Sequence, residues 1–151
     1  MKLDMKVIIG GGILMYVVQF ILGMVSGMFI HEGVLEPLYA ATTEFWRPEL
    51  NQDPPDMAAL MPRWIATGLV TALVYAGIYD NIKSALDGSG VVRGAKFGVI
   101  MALVYAMFCA AFSGVFNLPE AIWGWWILEG FIIYPIGGAA LGWFAAKFGS
   151  D

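Results

Sequence analysis

Few side chains in this sequence could do chemistry, and the one in the most expensive position is Glu129. It is the only acid in the body of the apolar run 121–148, about 12 Å along a helix from Ala121 at 1.5 Å per residue. A carboxylate in hydrocarbon must be paired or wetted. Arg63 enters a second apolar run at a similar depth, so the sequence predicts one of two roles for Glu129. Either it is a protonatable or cation-binding group in the outer half of the bundle, or it is structural, as a buried Glu129–Arg63 ion pair that fixes helix register or as a protonated carboxyl hydrogen-bonded to a neighbour. Gln19, Tyr16, Tyr105 and Tyr134 would add a polar layer nearer the midplane, or act as interhelical glue. Pro135 beside Tyr134 introduces a kink or an unpaired carbonyl.

The other candidates point to little chemistry. His31 is the only histidine, so a bis-histidine haem cannot form within the chain and a metal site would have to recruit Glu32 or Glu36. A solvated interfacial histidine is the expectation. Cys109 is the only cysteine, which excludes an intrachain disulfide and suits a small packing residue. There is no Ser/His/Asp set, no phosphate-cradling loop followed by lysine and no histidine cluster. No catalytic residue, cofactor or metal is therefore expected, and an enzyme is the least favoured class. A net charge of −4 with only 8 Lys plus Arg argues against a nucleic-acid partner.

What must position these residues is a membrane fold. The chain of 151 residues is 60% hydrophobic and 13% charged, against roughly a quarter charged for an ordinary soluble domain. Four apolar stretches at about 7–30, 57–86, 94–115 and 121–148 are each long enough to cross a bilayer as a helix. They predict an all-α, polytopic fold: a single four-helix transmembrane bundle over 1–151. The first stretch exceeds a signal-peptide apolar region and lacks a small-x-small cleavage site, so it reads as a retained helix. Pro54, Pro55 and Pro62 crowd the start of the second, and Asp87-Gly88-Ser89-Gly90 ends it.

Lys2, Lys6, Lys83, Arg93, Lys96 and Lys147 fall on one side of such a bundle and only Arg47 and Arg63 on the other. By the positive-inside rule both termini are cytoplasmic, and 31–56 is an outer segment. Within it Leu38, Tyr39, Thr42, Phe45 and Trp46 share one side of a helix, which predicts a short interfacial helix across Glu36 to Trp46. Pro48 would end it.

Small residues set how the spans should meet. Gly94, Gly98, Ala102, Ala106, Ala110 and Gly114 recur at every fourth position of the third helix. Gly23 and Gly27, then Gly68, Ala72 and Ala76, then Gly138, Gly142 and Ala146 repeat the pattern in the other three. Such stripes allow close backbone approach, which drives helix association where lipid is as apolar as leucine. A faint internal repeat also shows, Ser26-Gly27-Met28-Phe29 against Ser113-Gly114-Val115-Phe116 and Trp64 to Gly68 against Trp126 to Gly130.

The stretch Leu38-Tyr39-Ala40-Ala41-Thr42-Thr43-Glu44-Phe45-Trp46-Arg47-Pro48 after a first apolar helix resembles that of small uncharacterised four-helix bacterial inner-membrane proteins. The resemblance implies the same topology and a bacterial inner membrane, and carries over no chemistry. Three functions follow as expectations. The first is a non-catalytic accessory or assembly subunit, packing against a larger membrane complex or forming a homo-oligomer. The second is a small transporter or channel using Glu129. The third is a protein that binds lipid, quinone or pigment beside Trp123, Trp125 and Trp126.

Overall fold

The computed structural model describes residues 3–150; Lys2, counted above among the cations, lies outside them. Helix α1 (Gly12–Phe29) is prolonged at both ends by π-helical turns, Val7–Gly11 and Ile30–Val34, into one span of 28 residues. The short α2 (Glu36–Ala40) and the 3₁₀ turns Thr43–Phe45 and Pro48–Asn51 follow, then α3 (Met57–Ile82), α4 (Gly90–Ser113) and α5 (Glu120–Phe148). The spans of α1, α3, α4 and α5 are long and apolar enough to cross a membrane, so the chain is a multi-pass helical membrane protein. Between 11% and 28% of their most apolar windows is buried inside the bundle. The remainder, including Phe29 at 70% and Met107 at 69% exposure, is surface for lipid.

Some helix ends differ from the sequence expectation for local reasons, whereas α3 starts at Met57 as expected: Asp56 caps it by accepting the Ala59 N–H at 3.1 Å, and the helix runs through Pro62. Gly88 at φ +112 takes the left-handed turn that ends the α3–α4 connection, and α4 then begins at Gly90, four residues before 94. The interfacial helix is cut to five residues. Thr42 turns its hydroxyl back to the Leu38 carbonyl at 2.8 Å, and the Trp46 indole N–H donates to the Tyr39 carbonyl at 3.2 Å, so side chains take up carbonyls that a longer helix would use. Phe45, placed on its buried side by periodicity, is exposed; Leu38, Tyr39 and Trp46 are half-buried and Thr42 is buried.

The tightest seam joins α4 and α5. A Cβ on Gly94 would overlap the Gly138 carbonyl, and one on Gly142 would lie 2.8 Å from Gly94 Cα. Gly98 lies against Tyr134 and Pro135 in the same way. The stripe is only half used, because a four-residue step advances about 40° beyond a full turn of a 3.6-residue helix. Gly94, Gly98 and Ala102 are buried, Ala106 is intermediate, and Ala110 and Gly114 have wound round to the exposed side. On α1 the predicted pair is not a close contact. A Cβ on Gly23 would only graze Ile133 at 4.0 Å and one on Gly27 would meet nothing within 4 Å. The close approach occurs instead at the other end of that span, where Gly11 faces Leu141 and Gly12 faces the Leu73 backbone at 3.2 Å.

The termini meet at one end of the bundle. The Asp4 N–H donates to Asp80 Oδ2 at 2.8 Å, and the Asp4 carboxylate accepts the Ser150 N–H. Lys83 pairs with Asp80 at 2.9 Å. The segment 31–56 therefore lies at the opposite, distal end.

Candidate functional site

Polar groups from three helices converge at the distal end. Trp126 and Glu129 are three residues apart on α5 and so share a face. Ser26 faces them from the last turns of α1. His31 follows on the π-helical turn Ile30–Val34, which the Leu35 N–H closes on the Ile30 carbonyl at 2.8 Å. Such widened turns re-aim a side chain and occur often at functional sites. Tyr39 comes from α2. Beneath them Ile30, Leu35 and Ile122 form a buried apolar floor, against which Leu38, Trp46 and Trp125 pack.

One hydrogen-bonded chain links the set. His31 Nε2 lies 3.0 Å from Glu129 Oε2, His31 Nδ1 lies 2.7 Å from the Tyr39 hydroxyl, and the Trp126 indole N–H donates to that hydroxyl at 2.9 Å. Ser26 Oγ bonds Glu129 Oε1. Tyr39 accepts from the Trp126 N–H and keeps its own proton for His31 Nδ1. His31 Nε2 faces one carboxylate oxygen of Glu129 and Ser26 Oγ the other, while Ser26 Oγ also reaches the Gly23 carbonyl at 3.2 Å.

Aromatic packing and burial frame this chain. The Tyr39 ring stacks on His31 with 5.9 Å between centroids and 10° between planes, and meets Trp46 edge-on at 5.0 Å. Burial pushes the Tyr39 phenol above its ordinary value of 10, the Trp126 N–H draws it back, and the charge of Glu129 adds to the rise. Tyr39 is thus a protonated donor at neutral pH. The His31 side chain is 35% exposed and the Glu129 side chain 14%, so the imidazole stands between the aqueous rim and the shielded carboxylate.

Two expectations are corrected here. Glu129 does not pair with Arg63. α5 has α1 and α4 as its close neighbours rather than α3, and the exposed Arg63 has no ion-pair partner among the described residues; its carbonyl accepts the Thr67 hydroxyl at 2.8 Å. His31, expected to be solvated, is instead the partner of Glu129. Among the described residues no group of three His, Cys, Asp or Glu is placed to hold a metal ion.

Gln19 and Tyr134, the other two polar candidates, do come together in a second place. With Tyr16 and Phe20 of α1 and Trp64, Thr67 and Thr71 of α3, they line a groove of about 360 Å³ at mid-span. The Gln19 stem presses on Gly137, where a Cβ would meet its Cγ at 2.6 Å. Its amide nitrogen is buried and has no hydrogen-bond partner. Thr67 and Thr71 donate to the carbonyls of Arg63 and Thr67, both at 2.8 Å, which leaves their oxygens as acceptors.

Comparison with protein-family models, curated proteins and solved structures finds no match to this chain.

Proposed function

We propose that this chain is a non-catalytic subunit of the bacterial inner membrane, with both termini cytoplasmic, that docks a helix of another membrane protein into the groove between α1 and α3. The observation that carries the reading is the unpaired Gln19 amide. In hydrocarbon an unsatisfied N–H costs several kcal/mol, and neighbouring helices are the usual source of the missing acceptor. The Gln19 side chain lines the groove beside the acceptor oxygens of Thr67 and Thr71, with no charge among the lining residues, and a rotation of its buried amide would turn the unpaired N–H to a docked helix. A partner helix with a serine, threonine or exposed carbonyl at the midplane is the complementary surface. Gly68 keeps the groove open by making room for the Tyr16 ring, 2.9 Å from where a Cβ would be.

Extraction in native nanodiscs followed by intact-mass analysis tests this. The wild-type chain should co-purify with a second membrane protein, and Gln19→Leu should release that protein while leaving the isolated chain at least as stable. A second copy in place of a different protein would make the assembly a homo-oligomer. A bare monomer, with Gln19→Leu merely destabilising it, would reject the reading.

A further inference from the structure

The end of the bundle where the termini meet carries a second recess, on the face where the α1 span adjoins α5. Its origin is in the sequence, where Gly10, Gly11 and Gly12 follow one another early in the first span. With no side chain at Gly10, the Phe144 ring occupies the place a Cβ would need, and it reaches Gly11 as well. A recess of about 600 Å³ is left between Met5 and Ile9 on one wall and Phe144 and Phe148 on the other. Met5, Ile9 and Phe148 are exposed, so it opens sideways to the bilayer and not into the bundle.

The lining is apolar except for Lys6. Lys6 stands just before the span that begins at Val7, and Lys147 one residue before the end of α5, so both ammonium groups belong to one rim. Lys147 Nζ lies 5.4 Å from the centre of the Phe148 ring and 5.1 Å from that of Trp143. Among the described residues neither lysine has an ion-pair partner. Two acids at this end are occupied: the Asp4 carboxylate accepts the N–H groups of Lys6, Val7 and Ser150, and Asp80 holds Lys83 and the Asp4 N–H.

We propose that this recess binds one anionic phospholipid of the surrounding bilayer, with an acyl chain along Ile9 and Phe144 and the phosphate between Lys6 and Lys147. An acyl chain needs no hydrogen bond, and the recess offers none below its rim. A phosphate needs donors and positive charge, and two ammonium groups without carboxylate partners supply both. Lysine stems lie along apolar surface while the charge stays at headgroup level, and basic pockets between membrane helices take anionic headgroups in this way. The two rings beneath Lys147 hold its ammonium in place before a lipid arrives. The recess is separate from the groove between α1 and α3, and its occupant is independent of any partner helix there.

The full chain in nonionic detergent, offered phosphatidylglycerol and phosphatidylcholine in equal amounts and read by native mass analysis, tests the site. Wild type should retain a lipid, with phosphatidylglycerol in about tenfold excess or more. Lys6→Gln and Lys147→Gln should each lower that preference about fivefold, the effect of one lysine near an anionic surface. Ile9→Trp fills the recess and keeps both lysines; it should release the lipid. Lys96→Gln removes a cation at the same end but outside the recess and should change nothing. All four positions are exposed, so the fold is retained, and an unchanged elution profile and helical signal check this. Equal retention of the two lipids by wild type overturns the proposal. So does a loss in Lys96→Gln that matches Lys6→Gln, or full retention in Ile9→Trp, since either reduces the effect to the general attraction of a basic surface.

Discussion

Replacing His31 by Phe removes both imidazole nitrogens and keeps a ring to stack on Tyr39. Two hydrogen bonds are lost, one to a carboxylate and one to a phenol. A bond to a charged group contributes about 1.5–3 kcal/mol and a neutral one about 0.5–1.5. His31 is one-third exposed, so water recovers part of the loss, and the expected cost is about 2 kcal/mol. Glu129→Leu abolishes the charge itself and puts an apolar side chain in hydrocarbon, for an expected cost of about 1 kcal/mol. The double variant leaves no stranded carboxylate. It should cost about 1.5 kcal/mol less than the sum of the singles. Equilibrium unfolding in mixed micelles, with denaturing detergent as titrant, reads all four corners of the cycle. The parallel cycle of Glu129→Leu with Arg63→Leu should be additive. Additivity to within about 0.5 kcal/mol in the His31 cycle, or coupling above that in the Arg63 cycle, would refute the assignment.

The glycines should separate into two groups in the same assay. Gly94→Val must push α4 off the α5 backbone and should cost about 1–3 kcal/mol or disrupt the hairpin, whereas Gly27→Ala meets nothing and should stabilise by up to about 1 kcal/mol through helix propensity. At the terminal end the Ser150 N–H, with those of Lys6 and Val7, holds the Asp4 carboxyl below its ordinary 3.8. A depressed folded-state pKa gives stability that is present above the ordinary value and lost as pH falls through the folded one. Amide exchange at Lys6 and Val7 should therefore accelerate below about pH 3.8, and Asp4→Asn should remove that dependence. For Tyr39, absorbance titration should place phenolate formation above 10 in wild type and lower in Glu129→Gln, because the charge that opposes ionisation is gone.

How much of this was legible in the sequence depends on which interaction is considered. Length and apolarity alone decide that a segment spans, so all four crossings could be read, with ends displaced where the π-helical turn Ile30–Val34 prolongs the first and where the turn at Gly88 lets α4 begin at Gly90. The glycine stripe on α4 was legible too, but its useful length was not, since it depends on how far two straight helices stay in contact. Glu129 was found because a carboxylate inside a span is costly wherever it lies. Its partner was missed. Depth along the membrane allowed both Arg63 and His31, and the choice rests on which helices adjoin α5, a lateral fact that spacing does not encode. The π-helical turn that aims His31 has no sequence mark of its own. Ser26, five residues before His31 and already singled out in the faint repeat, was the available signal.

The packing also explains why a groove and a tight seam coexist in so small a bundle. The α4–α5 seam brings glycine against backbone, which leaves no volume for a solute or for water. Helix α3 is held differently: to α4 through the rings of Tyr75 and Tyr79 on Phe97, and to α1 by a close backbone approach at Gly12 and Leu73 and, beside the groove, by Tyr16 lying on Gly68. Aromatic side chains keep backbones apart, so polar groups and gaps collect along α3 and not along the glycine seam. Tyr134 stands where the two regions meet, since it lines the groove and also neighbours Tyr75 and Tyr105. A helix seated between α1 and α3 would therefore bear on Tyr134 and, through its ring contacts, on Tyr75 of α3 and Tyr105 of α4, so lateral association at the groove reaches the side chains that hold three of the four spans together.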